Sequence, residues 1–187
     1  MSPSLVHRAY AGIGSRTTPE AICSLMAALA GRLAARGWTL RSGAAPGADS
    51  AFEAGAVQAG GSCEIYLPWP GFQGRHDGRL LQAAGPAYPL VARVHPRFAS
   101  LSRPVRQLLA RNAHQVLGVD LQSPCEMVIC WTPGASGRGG TGTALRLARQ
   151  QAIPIYDLAD LTVRRRICER FGVDLVDPEL RQLGLPL

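Results

Sequence analysis

The sequence MVICW at residues 127–131 and the sequence GGTGTALRLA at residues 139–148 decide the fold class of this chain. A short continuous apolar run is typical of a strand that is covered on both faces of a parallel sheet. The glycine-rich turn that follows leads into a predicted helix over residues 140–151. A strand, a glycine turn and a helix in this order form the repeating unit of a parallel α/β sheet.

Two more units of this kind lie nearer the N-terminus. In the first, an apolar run over residues 6–13 leads into the turn AGIGSR at residues 11–16 and a helix. In the second, a strand over residues 38–42 leads into the turn SGAAPGAD at residues 42–49 and a helix over residues 48–60. All three glycine turns therefore follow a strand and open a helix.

The rest of the chain continues the alternation. It predicts strands at 64–67 and 153–156, helices at 103–117 and 161–171, and an irregular stretch at 71–102. We therefore predict an α/β fold, a doubly wound, mostly parallel Rossmann-like sheet of about five strands with helices on both faces. We expect one domain over residues 1–187 with a core at about 5–171, and the pattern leaves the tail at 172–187 open.

Composition excludes several kinds of chemistry. The chain has 187 residues and a net charge of +7, and all 20 of its basic residues are arginine. Without lysine it has no Schiff-base lysine, no pyridoxal-phosphate anchor and no P-loop. Its apolar runs are all far shorter than the ~20 residues of a membrane span. Five scattered cysteines without zinc-site spacing, and no signal-peptide pattern, predict a cytoplasmic protein with reduced thiols, no metal and no cofactor.

The three glycine turns predict a binding site for a phosphate group. In a doubly wound sheet such turns share the carboxyl edge, and the strand order 3-2-1-4-5 places them around one crevice. Glycine lets the backbone approach a ligand closely, and a helix N-terminus presents free N–H groups with a partial positive charge. A single glycine turn is explained as well by chain geometry alone as by ligand binding. Three such turns, two of them with neighbouring Ser or Thr, favour binding.

A basic stretch supports an anionic ligand. Between Asp77 and Asp120 the chain has six arginines and no acidic residue. The stretch forms either a solvated basic face or a phosphate-contacting element above the crevice. We single out Arg111, beside the chain's only asparagine, Asn112, because an arginine fork suits phosphate.

Other candidates are fewer. Asp49 follows the second turn and either accepts from a ribose hydroxyl or caps a helix. Glu53 lies one helical turn later on the same face, so the two acids either hold a sugar together or reflect simple helix polarity. Asp49, Glu53 and Arg111 are the candidates for catalysis. Trp69 and Trp131 end strands and either stack on a base or pack in the core. The predicted ligand-binding residues are Gly12, Gly14, Ser15, Arg16, Ser42, Gly43, Gly47, Asp49, Trp69, Arg111, Asn112, Trp131, Gly139, Gly140, Thr141, Gly142 and Thr143.

As a set, the motifs resemble the SLOG superfamily, named for DprA/Smf and LOG proteins, and are most similar to its small stand-alone cpYpsA-related branch. The resemblance extends over about residues 10–157 and rests on five segments: AGIGSR (11–16), SGAAPGADSAFEAGA (42–56), EIYLPW (64–69), ARN (110–112) and GGTGTALRLA (139–148). It implies a nucleotide-type ligand, with the phosphate at residues 139–143, Arg111 and Arg16 beside it, Asp49 at the sugar and a tryptophan on the base. A homodimer or higher homo-oligomer is also implied.

The resemblance implies two further activities, each with a departure in this chain. LOG-type members hydrolyse the N-glycosidic bond of nucleoside 5′-monophosphates, but Asn112 replaces their lysine and Arg146 replaces their glutamate. An arginine cannot act as the base or stabilise an oxocarbenium-like centre. DprA-type members bind single-stranded DNA in recombination and DNA processing, but Pro46 replaces the basic residue usual in their second turn.

Three functions therefore stay open. The first is binding of a nucleotide or nucleotide-derived phosphorylated ligand, as a sensor or a nucleotide-processing protein. The second is single-stranded DNA binding. The third is a LOG-like phosphoribohydrolase, so whether the chain is an enzyme is left undecided.

Overall fold

The computed structural model describes residues 8–77, 79–80, 85–137 and 140–175. Gly139, one of the predicted ligand-binding residues, and most of the predicted tail, 176–187, lie outside the described residues. Within the described part of the chain, none of the helices has the length and apolar character that a bilayer span requires.

Six parallel strands form one sheet in the described residues. They are β1 (Ala9–Gly14), β2 (Thr39–Ser42), β3 (Cys63–Leu67), β4 (Arg79–Leu80), β5 (Met127–Trp131) and β6 (Ile155–Asp157), in the order β4-β3-β2-β1-β5-β6. The predicted doubly wound α/β fold is confirmed, and its five predicted strands have the order 3-2-1-4-5. Because the order reverses at β1, the sheet has its topological switch point between β1 and β5.

In the part of the chain that the structure describes, six α-helices connect or follow the strands. They are α1 (Glu20–Ala34), α2 (Ala48–Gln58), α3 (Ala87–Val94), α4 (Arg103–Leu117), α5 (Gly140–Gln150) and α6 (Leu161–Phe171). The boundaries predicted for all of these helices except α3 lie close to the observed ones.

The stretch at 71–102, which the sequence predicts as irregular, contains two elements. The two-residue strand β4 pairs with Tyr66 and Leu67 at the edge of the sheet, and it is too short to leave a periodic pattern. Helix α3 contains Pro89, which obscured the helix in the sequence. A proline is tolerated in the first turn of a helix because the N–H it lacks has no partner there.

Helices cover both faces of the sheet, as predicted. The side chains of β1 alternate: Tyr10 packs with α1, α2 and α6 on one face, whereas Ala11 and Ile13 pack with α4 and α5 on the other. The strand β5 alternates in the same way, which explains its continuous apolar run. Helix α3 packs outside α4 and α5. The carboxyl ends of β1 and β5 therefore lie beneath α4.

Candidate functional site

A cleft of about 520 Å³ opens at the carboxyl ends of β1 and β5. Its lining comes from three parts of the chain, the first and third glycine turns and the helix α4, with a contribution from the second turn. The lining residues are Ile13, Gly14, Ser15, Arg16, Ala45, Asp49, Val105, Leu108, Leu109, Arg111, Asn112, Gln115, Thr132, Pro133, Ser136, Gly140 and Thr141. The cleft thus lies at the topological switch point, where α/β sheets bind ligands.

One side of the cleft is polar. The hydroxyl of Ser15 accepts from the Thr17 N–H at 3.1 Å, and Arg16 next to it is exposed. Opposite them, α5 begins at Gly140, and a Cβ built on Gly140 would meet no atom within 4 Å. The N–H groups in the first turn of a helix lack intrahelical partners and carry a partial positive charge. This side of the cleft can therefore receive an anion.

Another part of the cleft lining is apolar. Val105, Leu108 and Leu109 lie three and four residues apart on α4, so their side chains share one face of the helix. Ile13 at the end of β1 and Pro133 after β5 also line the cleft. A ligand with a charged end and an apolar or aromatic end matches this division.

A buried ion pair lies at the base of the cleft. Asp49 is 4 % exposed and Arg111 is 5 % exposed, and Nη1 of Arg111 donates to Oδ2 of Asp49 at 3.2 Å. The Asp49 carboxylate also accepts from the backbone N–H of Ala45 at 3.4 Å. The Phe72 ring lies 5.8 Å from the guanidinium carbon of Arg111. These contacts fix the guanidinium in one position.

Burial dominates the ionisation of this pair. Burial raises the pKa of Asp49 above its ordinary value. The Arg111 guanidinium and the N–H groups of Ala45 and Gly14 lower this pKa, but their effect is smaller. Burial also lowers the pKa of Arg111, and the nearby cation Arg16 lowers it further. The Asp49 carboxylate raises this pKa in part. The Nε of Arg111 is buried without a hydrogen-bond partner.

Eight of the predicted ligand-binding residues line the cleft: Gly14, Ser15, Arg16, Asp49, Arg111, Asn112, Gly140 and Thr141. The other described ones do not. Ser42 donates its hydroxyl to the Gly12 carbonyl at 2.7 Å, and Thr143 is fully buried. Two more of this group are Trp69 and Trp131, and the other four are glycines whose role is close packing.

Each of these glycines lies against another part of the protein. A Cβ on Gly12 would be 2.7 Å from Leu40 and Phe52, and one on Gly43 would overlap the Arg111 guanidinium. A Cβ on Gly47, which has φ of +81°, would lie 2.6 Å from the Ser15 carbonyl oxygen. One on Gly142 would overlap the carbonyl oxygen of Gly137. They therefore bring the turns together instead of lining the cleft.

Three of the predicted site residues lie away from the cleft lining. Trp69 packs edge-on against Phe72 with ring centroids 5.2 Å apart, and Trp131 packs against the core on the α1 side of the sheet, so neither ring lines the cleft. Glu53 pairs with Arg75 through two bonds of 2.8 and 3.0 Å, whereas Asp49 pairs with Arg111. The two acids of α2 therefore do not act together on a sugar in the cleft.

Comparisons with known proteins place this architecture. No family model and no curated protein matches the sequence. The structure is similar to DNA processing protein A (DprA) from Streptococcus pneumoniae, with 19 % identity, a TM-score of 0.55, and coverage of 97 % of this chain and 62 % of that protein. A second similar structure is DprA from Helicobacter pylori, which was determined for its mode of single-stranded DNA binding. It has 18 % identity and a TM-score of 0.50, with coverage of 89 % of this chain and 74 % of that protein. The molybdenum cofactor carrier protein of Chlamydomonas has 17 % identity and a TM-score of 0.48, with coverage of 88 % of this chain and 84 % of that protein.

The chain has the same fold as these DprA structures. The resemblance seen in the motifs is thus confirmed at the level of the fold, and the neighbours, all below 25 % identity, show no more than that. Arg146, at the position where the resemblance expects the LOG glutamate, donates to the Thr143 hydroxyl at 3.2 Å and does not line the cleft. Pro46, at the position of the DprA basic residue, is exposed.

Sequence reasoning missed the apolar wall and Gln115. Gln115 is 2 % exposed and lies four residues after Arg111, so the two share a helix face. That spacing was the available signal. It also missed Thr132, which donates to Asp157 at 2.5 Å and accepts from the Gly137 N–H at 3.0 Å. This pair of bonds shapes the third turn.

Among the described residues, no group of three His, Cys, Asp or Glu side chains could hold a metal ion.

Proposed function

We propose that this chain binds a nucleotide or nucleotide-derived phosphorylated ligand in the cleft, with the phosphate at the start of α5 and the base against α4. One observation carries the proposal. A single cleft is lined both by an open helix N-terminus with an exposed arginine, Arg16, and by the apolar side chains of Val105, Leu108 and Leu109. A nucleotide has the same division into a charged and an aromatic end.

The charges of the lining support an anion. The charged residues of the described lining are Arg16, Arg111 and Asp49, so the cationic groups outnumber the acidic one. A helix N-terminus adds about half an elementary charge. Asp49 is neutralised by its buried partner, which leaves Arg16 and the free N–H groups of α5 for the phosphate.

We infer binding without LOG-type hydrolysis. Hydrolysis of an N-glycosidic bond requires a carboxyl group that acts on the sugar or on water. Asp49 is the only acid among the described residues of the lining, and it is committed to Arg111. The LOG glutamate position carries the cation Arg146. A sensor or carrier of the ligand fits this arrangement better than a hydrolase. The cytoplasmic location and the homodimer remain predictions.

The substitution Gly140→Asp tests the phosphate position. The site has room for the side chain, and an acid in the first turn of a helix favours folding, so we expect an unchanged or slightly higher thermal midpoint. The added negative charge should nevertheless repel the phosphate and weaken binding of adenosine 5′-monophosphate at least tenfold, about 1.4 kcal/mol. Isothermal titration calorimetry measures the affinity.

Gly140→Asn is the matched control, because it adds nearly the same volume without the charge. We expect it to retain most of the affinity. If the two variants bound the nucleotide equally well, the phosphate would not lie at the start of α5. If the wild-type chain bound none of a panel of nucleoside mono-, di- and triphosphates, the proposal itself would be wrong.

A second candidate function is binding of single-stranded DNA. The observation that favours it is that Arg93, Arg97 and Arg103 are all exposed, on or beside α3 and at the start of α4. No acidic residue interrupts this part of the sequence. A basic surface of this kind can follow a phosphate backbone.

The salt dependence of binding separates the two candidates. DNA binding through these arginines predicts that log K for oligo(dT) falls steeply with log salt concentration, with a slope of about −0.7 per phosphate contacted. The double variant Arg93→Ala/Arg97→Ala should then reduce the slope by about 1 to 2, while Arg32→Ala, an exposed arginine on α1, should not. A cleft that binds one nucleotide predicts a shallow slope that neither substitution changes.

A further inference from the structure

A chain of hydrogen bonds connects the second glycine turn to the start of α5. The side-chain N–H of Asn112 donates to the carbonyl oxygen of Gly140 at 2.9 Å. When the Gln115 amide is oriented to match its neighbours, its nitrogen donates to Oδ1 of Asn112 at 3.1 Å, and its oxygen accepts from the Gly43 N–H at 2.9 Å and from Nη1 of Arg111 at 3.1 Å. Two side chains of α4 thus join Gly43 to Gly140.

The polarity of this chain is fixed. Both groups that face one end of the Gln115 amide, the Gly43 N–H and the Arg111 guanidinium, are donors only, so that end must be the oxygen. The Gln115 nitrogen must then face Asn112, whose oxygen accepts and whose nitrogen is left to donate to Gly140. A reversal of any one amide would place two donors or two acceptors against each other.

The link at Gly140 bears on the anion position. The peptide between Gly140 and Thr141 is planar and trans, so its carbonyl oxygen and the Thr141 N–H point in opposite directions. The Gly140 carbonyl is also an acceptor within α5, so the Asn112 bond is a second restraint on it and on the direction of this N–H, which belongs to the unpaired group at the start of α5. Asn112 and Gln115 are both buried, so their bonds face little competition from water.

We propose that Gln115 and Asn112 form a relay that orients the first peptide of α5, which makes Gln115 a positioning residue for the phosphate in the cleft. The proposal rests on the proposed function for its ligand, but the relay itself is a property of the ligand-free protein. It also gives Asn112 a role that a lysine could not fill. Asn112 must accept from Gln115 and donate to Gly140 at once, and a lysine has no acceptor.

The test is Gln115→Glu. A glutamate still accepts from Gly43 and Arg111 but cannot donate to Asn112, so the Asn112 amide turns its nitrogen to the new carboxylate and releases Gly140. In the ligand-free protein we expect the NMR resonances of the Gly140 carbonyl carbon and the Thr141 amide to shift. We also expect the affinities for inorganic phosphate and adenosine 5′-monophosphate to fall about threefold to tenfold, the effect of one hydrogen bond.

Gln107→Glu is the control, because it places the same charge on the same helix outside the relay. It should leave the Gly140 and Thr141 resonances in place. Should Gln115→Glu fail to fold, Asn112→Asp breaks the same link, since an aspartate accepts from Gln115 but cannot donate to Gly140, and it should shift the same resonances.

The outcomes separate the two proposals. Unchanged Gly140 and Thr141 resonances in both relay variants would overturn the relay. If Gln115→Glu shifted these resonances but the wild-type protein bound neither phosphate nor the nucleotide, the relay would be supported and the proposed function would be overturned. Shifted resonances with equal affinities in wild type and Gln115→Glu would show that the relay does not position the phosphate.

Discussion

The substitution Gly43→Ala should lower the free energy of unfolding by about 3–5 kcal/mol, although it adds a single methyl group. The new Cβ would overlap the guanidinium of Arg111, which would have to move away. Asp49 would then lose its cation while it remains buried, and breaking one side of a buried ion pair costs about this much. Urea denaturation measures the loss, and the cleft should lose nucleotide affinity in parallel.

Gly31→Ala is the matched control for this prediction. A Cβ on Gly31, within α1, would meet its nearest neighbour at 3.6 Å, an ordinary contact. Because alanine favours helix over glycine, we expect Gly31→Ala to be neutral or to stabilise the protein by up to about 1 kcal/mol. A Gly43→Ala variant as stable as the Gly31→Ala variant would mean that Arg111 has a second position of equal energy.

The fold was predictable because its signals are local. Each central strand is a continuous apolar run or an alternating one, and each is followed by a glycine turn that leads into a helix. The order of the strands then follows from the general preference for right-handed crossovers and the common doubly wound arrangement. Elements such as β4, with two residues, and α3, with an internal proline, carry no such signal and depend on tertiary contacts.

The site was predictable only in part, because a glycine in the sequence does not show what lies next to it. Gly140 and Gly43 both stand at the start of a turn or helix in glycine-rich motifs. Gly140 has open space beside it, whereas Gly43 makes room for the Arg111 guanidinium. The pairing of Asp49 with Arg111, 62 residues apart, likewise depends on the packing of α4 across the sheet. The apolar wall of α4 had the spacing of ordinary core residues and gave no sign of a cleft.

The buried pair itself predicts the behaviour of a double-mutant cycle. Arg111→Met should destabilise the protein by about 3–5 kcal/mol, because the buried Asp49 keeps its carboxyl group without a partner cation. Adding Asp49→Asn removes that charge, so the double variant should be more stable than Arg111→Met alone by about 2 kcal/mol. Equal stabilities for Arg111→Met and the double variant would mean that Asp49 does not interact with Arg111 in the folded protein.

The pH dependence of the same variants has a definite sign. Burial raises the pKa of Asp49 in the folded protein above its usual value, so the folded state holds the proton more tightly than the unfolded state. The stability that this proton provides is present in full below the ordinary pKa of about 3.9 and is lost as the pH rises through the folded-state pKa. The unfolding free energy of wild type relative to Asp49→Asn should therefore decline as the pH is raised above about 4. Chemical denaturation of both proteins at a series of pH values measures this difference, and a difference that grows with pH would mean that the Arg111 guanidinium outweighs burial at Asp49.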